Sequence, residues 1–279
     1  MAEITAEAVK ALREITDLPM MECKKALTEA GGDQEKAIAL LRERVKGLAL
    51  KFKDRATSEG RVHTMKSADG KLGAMIELQC ETAPVAKNDD FLQVADQMCK
   101  QLLVGPGATT PEELLAQPAP DFPGRKLGEM LDDVFNKIRE KMVLARVIRV
   151  EGPVGAYTHH DGKLGVLFQA KGTPKDEEVL RGVAMQVAAL KPKACLSSEL
   201  DPAVVEAERV KQMADAKASG KPENVLEKIV SGKMRTFFAN EGVLVDQPYV
   251  KDDSKTVEKA LADAGVTAVG YTRWYLGQS

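Results

Sequence analysis

The 279-residue chain is short of the residues that most chemistry needs. It has three histidines, four cysteines and one tryptophan. Aromatic residues make up 4%, too few for a platform on which bases stack. Cys23, Cys80, Cys99 and Cys195 lie far apart and form no Cys-x-x-Cys pair. Sequence-local zinc sites and thioredoxin-type dithiols are thereby excluded. No apolar run approaches the ~18 residues of a membrane helix. Neither sign of charge dominates: 40 Lys and Arg face 42 Asp and Glu, a formal net of −2. That balance excludes a chain-wide basic field for nucleic acid. The opening Met1-Ala2-Glu3-Ile4-Thr5-Ala6-Glu7 lacks the apolar stretch of a signal or transit peptide. The expectation is a cytoplasmic protein with reduced, buried thiols.

What is present suits a folded protein. Apolar residues at 44% and charged residues at 29% can build a core. The first fifty residues predict three short helices. Thr5 caps a helix with Val9, Leu12 and Ile15 on one side. Leu18-Pro19 interrupts it, and Pro19 opens a second helix with Cys23, Ala26, Leu27 and Ala30 on one face. Gly31-Gly32 ends that helix, and Asp33 caps a third holding Ala37, Ile38, Leu41 and Val45. Arg42, Arg44, Lys46, Lys51, Lys53 and Arg55 read as a solvated helix or linker face, with RNA binding as the competing reading.

From Gly60 the period changes. Arg61–Lys66 alternates, Ser67-Ala68-Asp69-Gly70 supplies a turn, and Gly73–Leu78 returns as a strand. A helix follows with Phe91, Val94, Ala95, Met98 and Leu102. The string Asp69-Gly70-Lys71-Leu72-Gly73 recurs 92 residues later as Asp161-Gly162-Lys163-Leu164-Gly165, again between two strands and before a helix. Two related α+β subdomains, arising by duplication, are expected. Between them, Gly105 to Gly124 carries five prolines and predicts an extended connector. A helix from Leu127 to Lys141 then leads into a strand from Val143 to Val150.

The second subdomain contains an insertion at about 198–240. One helix carries Val204, Ala207, Val210, Ala214 and Ala218, and Ser219-Gly220-Lys221-Pro222 turns it. The next carries Leu226, Ile229, Val230, Met234 and Phe237, making an antiparallel helical hairpin. A helix from Thr256 to Ala264 and a strand from Thr267 to Leu276 close the chain. The organisation expected is a three-helix module at 1–54, a first α+β subdomain at 55–142 and a second at 143–279.

Candidate catalytic groups are sparse. His63 sits on an alternating strand, where a structural role outweighs a catalytic one. His159 and His160, read as strand neighbours, should point to opposite faces and so share no metal. No phosphate-binding loop, dinucleotide fingerprint or nucleophile elbow appears. An interaction protein is favoured over an enzyme.

Lys10-Ala11-Leu12-Arg13-Glu14-Ile15-Thr16, followed by Met20-Met21-Glu22-Cys23-Lys24-Lys25-Ala26-Leu27, resembles the signature of the bacterial elongation factor Ts family. The resemblance continues through Gly32-Asp33, Thr82 to Asn88, Tyr157 and His159, the helical hairpin and Ser254-Lys255-Thr256-Val257. It implies a three-helix module of ubiquitin-associated type, two α+β subdomains and a guanine nucleotide exchange factor for elongation factor Tu, with no cofactor of its own. Carried over residue by residue, Leu12, Arg13, Thr16, Met20 and Met21 lie in or beside the GTPase contact, with one methionine expected to pack inward. His159 falls near the contact with the partner's third domain. The family's Thr-Asp-Phe-Val-Ala-Lys-Asn wedge, which helps dislodge the partner's Mg²⁺, corresponds here to Thr82-Ala83-Pro84-Val85-Ala86-Lys87-Asn88. Its acid and its aromatic ring are both missing. The resemblance therefore leaves two readings: exchange on elongation factor Tu, or a binding, chaperone-like protein of that GTPase with weakened exchange. Neither a membrane nor direct nucleic-acid binding is implied, and a homodimer stays open.

Overall fold

The computed structural model describes residues 4–16, 18–218 and 222–278, without the side chains of 45–51 and 224. It is a mixed α+β structure that divides into two compact units. One comprises Met1–His63, Ile76–Ile148 and Leu276–Ser279, the other Thr64–Met75 and Arg149–Tyr275.

The first unit begins with three helices: α1 (Ala6–Thr16), α2 (Met20–Glu29) and α3 (Gln34–Lys51). Their ends follow local chemistry. Thr5 Oγ1 accepts from the Ala8 amide at 3.2 Å, and Asp33 Oδ1 accepts from the Lys36 amide at 3.1 Å. Gly31 and Gly32 take φ of 65° and 92° to end α2, a region that side chains avoid. Val9, Leu12, Leu18, Cys23, Ala26, Leu27, Ala37 and Leu41 form the buried core. Ile15, expected on that face, is instead 61% exposed, because Leu18 fills the inner position beyond the end of α1. Expected roles for Val45, Lys46 and Lys51 involve side chains outside the described residues.

Next come β1 (Glu59–Lys66) and β2 (Leu72–Cys80), then α4 (Asp89–Val104) and α5 (Pro111–Leu115). α6 (Leu127–Ile138) and β3 (Met142–Glu151) follow, and the three strands form a sheet ordered β1-β2-β3. α4 buries Phe91, Val94, Ala95, Met98 and Leu102 as its spacing predicts. The connector is not wholly extended. Thr110 Oγ1 accepts from the Glu113 amide at 3.2 Å, while Glu113 Oε2 accepts from the Thr110 amide at 3.3 Å. With Pro111 at the first helical position, this capping box nucleates α5.

The second unit is built on β4 (Val154–Thr158), β5 (Leu164–Gly172) and β8 (Val266–Tyr275), an antiparallel sheet ordered β4-β5-β8. Tyr157 pairs with Val166, and Phe168 with Tyr271. α7 (Glu178–Leu190) and α10 (Val257–Asp263) supply Val183, Val187, Val257 and Leu261 to a core that includes Val166 and Phe168. A short ribbon, β6 (Pro248–Tyr249) with β7 (Asp252–Thr256), precedes α10 and had no clear alternation to reveal it.

The repeated string folds the same way twice. The Ser67 amide donates to Leu72 O at 2.9 Å and the His159 amide to Leu164 O at 2.8 Å. Asp69 and Asp161 each accept from the amide two residues on, and Gly70 and Gly162 have φ of 67° and 72°.

The hairpin consists of α8 (Pro202–Ala218) and α9 (Glu223–Asn240). Leu226, Val230 and Met234 of α9 are buried, with Ile229 and Phe237 packed against them. On α8 the packing residues are Val205, Met213 and Ala216, whereas Val204 and Val210 are 50% and 59% exposed. The expected α8 face was thus rotated: alanines at 207, 214 and 218 mimic an apolar stripe but are exposed. The expected turn at Ser219-Gly220-Lys221 lies outside the described residues.

Candidate functional site

The amino-terminal candidates sort into a buried foundation and an exposed display. Leu12 is fully buried in the core of the helical bundle. Thr16 Oγ1 donates to Leu12 O at 2.7 Å and lies 3.5 Å from Cys23 Sγ, which itself reaches Leu18 O at 3.7 Å. These contacts fix the turn between α1 and α2. Leu18 packs beneath Cys23 in the manner of a hydrophobic staple around Pro19. That plug takes the inner position at the start of α2. Both methionines therefore face outward, Met20 at 52% and Met21 at 64% exposure, correcting the expectation that one packs inward. Arg13 is also exposed. With Ile15, the result is three large apolar side chains displayed within seven residues, an unusual concentration for a surface with no partner.

Two residues that were not among the site candidates hold this display. Glu22, next to Met21, accepts from Arg139 Nη2 at 3.0 and 2.8 Å. Arg139 ends α6 in the left-handed region at φ 61°, a position where sequence reasoning looks for Gly or Asn. Arg42 reaches Glu129 at 3.7 Å from the adjacent helix of the module. Nearby, burial pushes the Asp133 carboxyl up, while Arg125 and Arg42 act in the opposite direction.

The segment from Thr82 is a second constructed feature of the same unit. The Thr82 amide and hydroxyl donate to Glu140 at 3.1 and 2.8 Å. Val85–Lys87 form a single 3-10 turn, with Pro84 at φ −59° as its cap. Asn88 caps α4 by accepting from Asp90 and Phe91. Thr82, Ala83 and Pro84 are exposed, whereas Val85 is 7% exposed and anchors the turn. The loop is rigidly held, yet it presents only a methyl group and a pyrrolidine ring.

In the second unit, His159 follows β4 rather than belonging to it. Its Nδ1 lies 2.9 Å from Tyr157 Oη, and its ring centroid is 4.3 Å from that of His160. The turn, unlike a strand, sets the two rings side by side, which corrects the expectation of opposite faces. Even so, no group of three or more His, Cys, Asp or Glu suited to a metal occurs among the described residues.

The remaining reactive side chains are tied down. His63 Nε2 lies 3.6 Å from Asp96 Oδ1, and burial holds the imidazole below its usual range. Cys23, Cys80, Cys99 and Cys195 are free and buried. Burial pushes the Cys80 and Cys195 thiols up to about 12, far from a reactive thiolate. In the basic stretch, Arg44 pairs with Glu29, and Arg55 pairs with Glu81 while stacking 3.6 Å above Phe52. Among the described residues no helix is long and apolar enough to cross a membrane.

The displayed apolar patch on the tethered helical module and the anchored, exposed loop are the features most open to a partner in this α+β protein. Comparison with known sequences gives the family. The profile of "Elongation factor TS" matches residues 81–278. Elongation factor Ts of Azoarcus sp. strain BH72 is 42% identical over 280 aligned positions, covering 100% of this chain and 92% of the relative. Its counterpart in Saccharopolyspora erythraea is 41% identical, with 100% of both chains covered. That of Aquifex aeolicus is 38% identical over 94% of this chain and 93% of the relative. The chain belongs to the elongation factor Ts family and hence to the elongation stage of protein biosynthesis.

Proposed function

We propose that the chain is a guanine nucleotide exchange factor that binds elongation factor Tu–GDP in the cytoplasm and promotes GDP release. The observation carrying this reading is the outward display of Met20 and Met21 on a module held by Glu22 and Arg139. In this reading residues 1–54 dock on the GTPase domain. Arg13, Met20 and Met21 make contact, while Leu12 and Thr16 hold the helix turn that presents them. The subdomains at 55–142 and 143–279 supply further contacts, with His159 oriented by Tyr157 toward the partner's third domain.

Exchange requires no general base. Factor and nucleotide need only weaken each other's binding in a ternary complex, and linkage makes that antagonism reciprocal. Contacts made better with a distorted phosphate and Mg²⁺ site drive the distortion. The 82–85 loop is the element aimed at this step. Without an acid and a phenyl ring at 83 and 84, it forgoes on the order of 1–3 kcal/mol of apolar burial. Docking through the module and the remaining contacts then carries most of the exchange, at a reduced rate.

The exposed Ala83-Pro84 pair also favours a second reading, a GTPase-binding or chaperone-like protein with weak exchange. Calorimetric titration of the chain into nucleotide-free elongation factor Tu, with and without GDP, tests the proposal. Exchange requires GDP to lower the affinity by more than tenfold, the coupling expected of about 1.4 kcal/mol or more. Affinity indifferent to GDP leaves the chaperone-like reading.

A further inference from the structure

We propose that Met20 and Met21 form a peroxide-sensitive modification site, through which oxidation weakens docking to the partner GTPase. The proposal rests on the docking reading above and adds a form of regulation to it.

The first support is selectivity. The chain has eleven methionines, and among those described only Met20 and Met21 are exposed, at 52% and 64%. Met75 and Met98 are fully buried, and Met130 and Met234 are 4% and 8% exposed. Met65, Met142, Met185 and Met213 are half-buried. Oxidation of a thioether follows its access to solvent. The cysteines, which otherwise compete for peroxide, are all buried. Burial keeps the Cys80 and Cys195 thiols protonated and thus poorly nucleophilic.

The second support is location. Neither methionine belongs to the core of Val9, Leu12, Leu18, Cys23, Ala26 and Leu27 that holds the module together. Oxidation there changes the displayed surface and leaves the fold intact. The chemistry balances with hydrogen peroxide as the named oxidant. A sulfur lone pair attacks one peroxide oxygen, an S–O bond forms and the O–O bond breaks. The departing hydroxide takes up the proton that the new S–OH⁺ group loses, directly or through solvent, which leaves the neutral sulfoxide and one water. Sulfur loses two electrons, and the peroxide gains them. The product sulfoxide is polar and chiral, so it cannot re-enter an apolar contact on the same terms, and sulfoxide reductases restore the thioether with two electrons from a dithiol, releasing the oxygen as water.

The test uses the full chain. It is treated with dilute hydrogen peroxide, cleared with catalase, and divided between peptide mass spectrometry and a GDP-release assay on untreated elongation factor Tu. Added oxygen is expected on Met20 and Met21 before Met75, Met98, Met130 or Met234, with an unchanged circular dichroism spectrum. The concentration of factor giving half-maximal release should rise by about tenfold, the loss expected when buried thioethers become sulfoxides. Treatment with both types of sulfoxide reductase, with dithiothreitol as the two-electron reductant, should reverse it. In a Met20→Leu/Met21→Leu variant, the ratio of treated to untreated half-maximal concentration should stay near one, whatever its starting value. Oxygen appearing first on other methionines overturns the site. Oxidised Met20 and Met21 with an unshifted concentration dependence overturn the regulation. Failure of the underlying docking reading has a separate signature: unoxidised Met20→Ala/Met21→Ala then releases GDP like the parent, while the oxygen mapping is unaffected.

Discussion

Arg139 Nη2 donates to both carboxylate oxygens of Glu22, across 117 positions of sequence. One residue ends α6 and the other neighbours the exposed Met21 on α2. Both side chains are partly exposed, at 31% and 44%, so the pair contributes little to stability, about 0.5 kcal/mol. Its effect is on orientation. Glu22→Ala is expected to leave the melting temperature within a degree or two. It should raise the factor concentration for half-maximal GDP release by about threefold, the loss of one positioned contact. Arg139→Ala should give the same shift, and the double variant should show no additive loss.

The 82–85 loop yields a gain-of-function prediction. Thr82 is fixed by Glu140 and Val85 by burial, so Ala83→Asp with Pro84→Phe keeps both anchors of the loop while changing what it displays. The double variant should increase the maximal rate of GDP release by about tenfold, equivalent to the ~1.4 kcal/mol of a partly buried ring. Stopped-flow release of a fluorescent GDP analogue reads this directly. An unchanged rate means the partner's pocket has diverged together with the loop.

Glu77 makes a prediction about stability. It is 1% exposed and accepts from Arg146 Nε at 2.7 Å, from Gln79 Nε2 at 2.7 Å and from the Gly277 amide at 2.9 Å. Removing this carboxylate leaves several donors without their acceptor. Glu77→Ala should destabilise the chain by about 2–4 kcal/mol in denaturant unfolding. It should also increase deuterium exchange around Gly277, whose amide loses its partner.

His63 supplies a pH dependence. Burial lowers its folded pKa below the ordinary 6.5, with Asp96 pulling in the opposite direction and Arg61 adding to the depression. Between the folded pKa and 6.5, the unfolded chain binds more protons than the folded chain. Stability therefore rises with pH through this window and is lost on acidification. His63→Gln should lose less melting temperature than the parent between neutral and mildly acidic pH. An equal loss in both proteins contradicts this assignment.

Much of the architecture was legible because it follows from short-range patterns. The Asp-Gly turns, the 3/4 spacing in α4 and the caps at Thr5 and Asp33 all appear where the residues dictate them. The connector was only half legible. Its prolines suggested extension, whereas Thr110-Pro111-Glu112-Glu113 carries a capping box that competes successfully with them. Alanines misled the reading of α8, since Ala suits exposed and buried helical faces alike. The docking candidates Arg13, Met20 and Met21 could be named from a motif, but their exposure could not. Leu18 continues the spacing of Val9, Leu12 and Ile15 but lies beyond the end of α1, where helical periodicity no longer places a side chain, and it is this plug that turns Met20 outward. The Glu22–Arg139 tether was invisible because it depends on a left-handed arginine where sequence rules expect glycine.

The central claim is that this chain accelerates GDP release from elongation factor Tu through its amino-terminal module. The most direct measurement is stopped-flow release of a fluorescent GDP analogue from elongation factor Tu across a titration of the chain and of Met20→Ala/Met21→Ala. Saturable acceleration by the parent is expected, with the variant requiring at least about tenfold more protein for half-maximal effect, as loss of two apolar anchors implies. Release that stays at its spontaneous rate when the parent chain is saturating contradicts the account.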